Sequence, residues 1–163
     1  WLAGIVLSSV YEGTVSATWS EQALFVVSTQ FGNVDGRIVP AAAAGHELLF
    51  EINTRLVSYS IPFYAALLWS SRVADAVNKF ALGLFGLWVT MALGLLFMTF
   101  KDLMVIVGDP FLTGNLAPPA AVIGLGYQFS VLLAPTLLPV AVWLLQLRGT
   151  PLWNTLNERL NPQ

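Results

Sequence analysis

The chain is 163 residues long, 56% hydrophobic and only 10% charged, with a net charge of −2 and a mean hydropathy of +0.73. A soluble domain carries about 25% charged residues, and a chain of this size could not hide so much apolar surface from water, so lipid is its natural solvent. The acidic balance excludes the basic footprint of nucleic-acid binding, and the absence of cysteine excludes disulfides, thiolate nucleophiles and thiolate metal sites.

In chain order, "WLAGIVLSSVY" (1–11) is apolar but shorter than the about 20 residues a spanning helix needs. The chain starts at Trp1 rather than Met, and this stretch reads as the end of a truncated first transmembrane segment. A signal peptide is the alternative, but it lacks a basic n-region and a small-residue cleavage site.

Residues 12–55 read as a small β-rich insert outside the membrane. "ALFVVSTQF" (23–31) is rich in β-branched and aromatic residues. "VDGR" (34–37) offers Asp-Gly, a hairpin turn signal. "PAAAAG" (40–45) is a low-complexity connector. From His46 to Arg55 the chain alternates, with Leu48, Phe50 and Ile52 on one face and Glu51, Asn53 and Arg55 on the other. That period predicts a half-buried strand over 46–55, with "ALFVVSTQF" the apolar strand to pair beside it.

Residues 56–71 follow as a short transmembrane helix with Pro62 near its entry, then a loop over 72–79. Phe80–Phe100 is uncharged between Lys79 and Lys101, the length of one membrane crossing. A second outer loop takes 101–117. The last transmembrane helix takes 118–147, started by Pro118–Pro119 and kinked at Pro135 and Pro139. A tail takes 148–163. The expectation is an α-helical integral membrane protein of about four transmembrane helices, with a small extracytoplasmic β insert and both termini cytoplasmic. Arg72, Lys79, Arg148 and Arg159 then lie inside, against Arg37, Arg55 and Lys101 outside. Trp1, Trp19, Tyr59, Trp69, Trp143 and Trp153 fall near segment ends, as interfacial aromatics do.

Few residues could carry chemistry. "HELLF" (46–50) starts like a zinc-protease HExxH helix, but the second histidine is missing and His46 is the only one in the chain. A nucleophile paired with a base inside the membrane is not supported, and neither is histidine-ligated haem. Gly86, Thr90 and Gly94 recur every fourth residue, a small-residue stripe for close helix packing. Gln128 needs a partner in hydrocarbon and is expected to make an interhelical hydrogen bond. Glu51, Asn53, Arg55 and Phe50 are candidates for docking a partner. No catalytic residue, metal ligand or cofactor is predicted, and bound lipid is compatible with the composition.

"FEINTRLVSYSIPFYAALL" (50–68) and "IGLGYQFSVLLAPTLLPVAVWLL" (123–145) resemble the exosortase H-associated membrane protein family of Gram-negative bacteria. That pattern reads Phe-Glu-Val-Asn-Pro, then Tyr-x-Tyr-Gly-(Leu/Ile)-Pro. Phe50, Glu51, Asn53, Tyr59 and Pro62 fit it, while Thr54 stands in place of proline and Ser60 in place of glycine. The resemblance implies an inner-membrane accessory of an exosortase sorting system. The catalytic cysteine of exosortases is not here, so the chain would be a partner and not the enzyme. Its partner would be a larger membrane protein or a second copy of itself. The other readings are an accessory subunit of a respiratory or photosynthetic complex, or a small carrier or channel. The last is opposed by the absence of charge inside the spans and of internal repeats.

Overall fold

The computed structural model describes residues 2–114, 116–148, 150 and 153–154. Trp1, Arg159 and most of the expected tail lie outside them. The elements run α1 (Leu2–Val10), β1 (Val15–Glu21), β2 (Leu24–Thr29), β3 (Phe31–Val34), β4 (Arg37–Pro40), α2 (Ala41–Ala44), β5 (Leu49–Asn53), α3 (Arg55–Ser58), α4 (Ser60–Ser70), α5 (Ala76–Ile106), α6 (Asp109–Leu112), α7 (Ala120–Gln128) and α8 (Ala134–Leu147). A π-helical stretch, Phe129–Leu133, joins α7 to α8.

The β region forms as the alternation dictates. β1, β2 and β5 make one antiparallel sheet in that order, with Val27 opposite Phe50 and Phe25 opposite Ile52. These four side chains are buried and share a core with Leu7, Met98, Phe100 and Leu103, so α1 and α5 cover the inner face of the sheet. β3 and β4 form a separate hairpin. Its turn residues Asp35 (φ 51) and Gly36 (φ 80) are both left-handed, as a two-residue hairpin turn requires. The predicted strand over 46–55 is shorter in the structure. His46–Leu48 lie outside it, because Leu48 N–H donates to the Phe31 carbonyl at the edge of the hairpin, and the helix begins at Arg55.

Two helices are long and apolar enough to cross a membrane: Ala76–Ile106, and Ala120–Leu147 across the π stretch. α4 has 11 residues, about 16 Å, and α1 has 9. Neither matches the ~30 Å hydrocarbon core on its own. Four full crossings are therefore not supplied by helix length. α5 also runs past both lysines that were expected to bracket it. Lys101 stays helical, with its ammonium 2.8 Å from Asp102 and 5.7 Å from the centre of the Tyr127 ring. That pairing compensates the charge at the helix surface. The loop expected over 72–79 shrinks to a tight turn, with Arg72 and Asp75 both at positive φ.

The predicted kink near Pro135 takes the form of the wide π turn just before it. Proline has no N–H to donate, and its ring would press on the carbonyl four residues earlier, Val131; the π turn moves that carbonyl aside. At the far end, α4, α5 and α8 interlock. Tyr64 Oη lies 2.8 Å from the Lys79 carbonyl and 2.6 Å from Gln146 Oε1, and Gln146 Nε2 donates to the same carbonyl at 2.9 Å. Trp143 Nε1 donates to Ser71 Oγ at 2.7 Å. Tyr64 reaches α5 because Gly83 is glycine: a Cβ there would collide with the phenol.

Gly83→Ala should lower the thermal midpoint in detergent, at a cost of about 1–3 kcal/mol for overpacking. Tyr64→Phe should cost about 1 kcal/mol for the lost hydroxyl bonds. Tyr64→Leu removes the ring carbons as well as the oxygen that the added Cβ would meet, so Gly83→Ala combined with Tyr64→Leu should lose less than the two single losses summed. Additive losses would show that Gly83 does not make room for the phenol.

Candidate functional site

The residues singled out from the sequence divide into three places. The first is the helix face expected from Gly86, Thr90 and Gly94. Gly94 is buried: a Cβ on it would stand 3.1 Å from Val57 Cγ1 and 3.7 Å from Ser130 Cβ. Gly86 is exposed with nothing within 4 Å, and Thr90 returns its hydroxyl to the Gly86 carbonyl at 3.1 Å. A spacing of four drifts by about 40° per step at 3.6 residues per turn, so the three cannot share one contact line. Gly83 and Gly94, three turns apart, fall within about 20° of each other. They are the two buried glycines of α5.

The second is Gln128, which is exposed on the helix surface. The expected interhelical amide bond is made instead by Gln146, on the side of α8 that faces α4 and α5. Sequence inspection overlooked Gln146 because it lies beside Arg148, where an amide reads as ordinary interface polarity.

The third is the sheet and its approach. Phe50 is buried in the core and does not face a partner. Glu51, Asn53 and Arg55 are exposed. Glu51 lies in one row with Val26 and Trp19, and Asn53 in the next with Leu24 and Glu21. This puts Glu21, Glu51, Asn53 and Trp19 on the outward face of the sheet. Glu47 is tied down: its carboxylate accepts hydrogen bonds from the Ser28 and Ser16 hydroxyls. Both bonds hold its pKa below the ordinary glutamate range, the Ser28 bond contributing most. Ser16 and Ser28 become neighbours only through the β1–β2 register, so no local pattern marks this cluster. His46 is exposed; its Nε2 sits 3.4 Å from the Asn33 N–H and its Nδ1 3.1 Å from the Ala44 carbonyl.

Among the described residues no group of three or more His, Asp or Glu could hold a metal ion. Nor is any buried polar side-chain atom left without a partner. A crevice of about 10 Å³ lies between Val57, Ser60, Thr90, Met91, Ser130 and Pro135, room for about one water. A larger cleft of about 530 Å³ runs under β1. Gly4, Ser8, Thr18, Trp19, Thr54 and Met91 are among its walls.

A family model described as exosortase H-associated membrane protein matches residues 1–150. No curated protein and no solved structure matches the chain.

Gly94→Leu should destabilise the fold strongly, because Val57 and Ser130 leave no room, while Gly86→Leu should leave the thermal midpoint close to that of the parent. Equal effects would place both glycines in the same environment. For Glu47, a carboxyl whose folded pKa is depressed contributes stability above its unfolded pKa of about 4.3 and loses it as pH falls through the folded value. Ser28→Ala should therefore raise the Glu47 pKa, read by NMR titration. The part of the destabilisation carried by the carboxylate should fade below about pH 4. A pKa unmoved by the substitution would remove the serine as its cause.

Proposed function

The chain belongs to the exosortase H-associated membrane protein family, and from that premise we propose that it is a non-enzymatic accessory that packs against a larger inner-membrane partner of an exosortase sorting system. In this reading it crosses the bacterial inner membrane several times, with both termini in the cytoplasm.

The observation that carries the reading is where the polar groups are committed. Within the helices, the hydroxyls of Ser60, Thr90 and Thr99 return to carbonyls of their own segment. Tyr64, Gln146, Trp143 and Ser71 bond to one another or to backbone. Such groups fasten helices together and leave little for a substrate. Glu21, Glu51, Asn53 and Arg55 stay exposed on and beside the sheet. Asn53 Oδ1 accepts from the Arg55 N–H; the two glutamates and the arginine side chain are among the groups free to meet another protein.

Purification from the native membrane in mild detergent should recover an exosortase with this chain, identified by mass spectrometry. Recovery with a respiratory or photosynthetic complex, or of the chain alone, would overturn the assignment. Topology is open to a separate check in this cysteine-free background. Cysteine at Asn33 should react with an impermeant thiol reagent added outside, and cysteine at Asn78 should not. The opposite pattern would invert the orientation.

A further inference from the structure

The sheet does not stand above the membrane helices. It lies beside one of them. Val57, just after β5 and within α3, packs on Gly94. Trp19, Ser20 and Thr54 line the same cleft as Met91 and Leu95. The turn that closes β1 onto β2 is fixed at this level, because Thr54 N–H and Oγ both donate to the Ala23 carbonyl, at 2.9 and 2.8 Å. Along α5, Gly94 is roughly 9 Å and Met91 roughly 14 Å from Phe100, where the uncharged stretch ends. In a hydrocarbon core about 30 Å thick, Met91 is near the midplane. The lower end of the sheet therefore reaches hydrocarbon depth.

Two features of that end are incompatible with lipid. β1 is an outermost strand; Val15 N–H donates to the Tyr11 carbonyl at its upper end, but among the described residues no backbone hydrogen bond reaches the outer edge of Ala17–Glu21. An unpaired strand edge in hydrocarbon costs several kcal/mol for each unsatisfied group. The irregularity in β1 lies between Val15 and Ala17, at the far end; Ala17–Glu21 is a regular edge with neither lysine nor proline to blunt it. Glu21, Glu51 and Arg55 are also exposed at or near this depth, where a charge must face protein or water. On the helix surface, Leu82, Phe85 and Val89 of α5 and Leu125 of α7 are exposed and wholly apolar, as a lipid-facing surface should be.

We propose that the β1 edge is covered, within the membrane, by an extended segment of a different membrane protein that pairs with Ala17–Glu21 and brings a basic side chain to Glu21. Strand addition satisfies the edge, and opposite charge compensates the acid at its end. The proposal rests on the accessory reading above and adds the surface, the depth and the chemistry of the contact.

The test uses the full chain in its host membrane, with a benzophenone amino acid replacing Trp19 at the edge, or Leu82 or Leu125 on the helix surface. Irradiation should join position 19 to a membrane protein other than this chain, and positions 82 and 125 to lipid. Adding Glu21→Lys should cut the position-19 adduct by about tenfold or more. That variant should melt with the parent, since the side chain is exposed. A protein adduct from 82 or 125 but not 19 would overturn the inference and leave the partnership standing. Lipid adducts at all three positions, with no partner recovered in mild detergent, would remove both. An adduct of twice the chain mass of 17.7 kDa would replace the foreign partner with a second copy. An adduct indifferent to the Glu21 charge reversal would overturn the basic pairing.

Discussion

The contact of Val57 with Gly94 sets the height of everything else in the molecule. Val57 follows β5 after a turn of only a few residues, so seating it on α5 fixes how far down the sheet extends. Ser130, within the π stretch, closes on the same glycine from the other side. The short helix after the sheet and both long helices thus meet at one residue with no side chain. A larger residue there would press first on Val57, which a Cβ would already approach to 3.1 Å. The brevity of α3 and α4 follows. The chain enters this level as a strand, and only the remaining depth is left for a helix.

The polar interactions show why the helices hold together without a hydrophobic drive between them. In lipid, association depends on close packing and on hydrogen bonds between helices. At one end, a single backbone carbonyl, that of Lys79, is approached by Tyr64 and Gln146 from two neighbouring helices. At the other, Tyr11 donates to the Leu116 carbonyl at 3.0 Å and packs against Phe100 and Phe111. Between these ends the Tyr59 and Thr136 hydroxyls meet at 3.0 Å, most other contacts are apolar, and glycine at 83 and 94 supplies the approach. Gly126 does the same on α7, where a Cβ would run into the Phe97 ring.

Much of this was legible in the sequence because it depends on local pattern. The alternation of Phe50 and Ile52, the Asp35–Gly36 turn and the pairing of the "ALFVVSTQF" stretch with β5 all followed from periodicity and turn chemistry. The two long apolar helices followed from length. The illegible parts depend on which residues meet. Gly86 and Gly94 look equivalent along the chain, and only the neighbours of α5 separate them. Gln128 and Gln146 are both lone amides in an apolar run, and only the packing of α8 against α4 and α5 gives Gln146 its partners. The Glu47–Ser16–Ser28 cluster needs a strand register that no single segment encodes.

The sideways placement of the sheet also changes how the charges bear on orientation. Read linearly, Arg55 and Lys101 belong to loops beyond the membrane, and the basic residues divide almost evenly between the two sides. In space, Arg55 opens the short helix whose Val57 packs on Gly94, and Lys101 is within the helix and paired with Asp102. Neither acts as a free loop charge, and it is loop charges near span ends that set orientation. Discounting both leaves Arg37 alone on the side of the sheet, against Arg72, Lys79 and Arg148 on the other. The asymmetry that linear reading made faint widens to three against one, in the direction of the orientation proposed above.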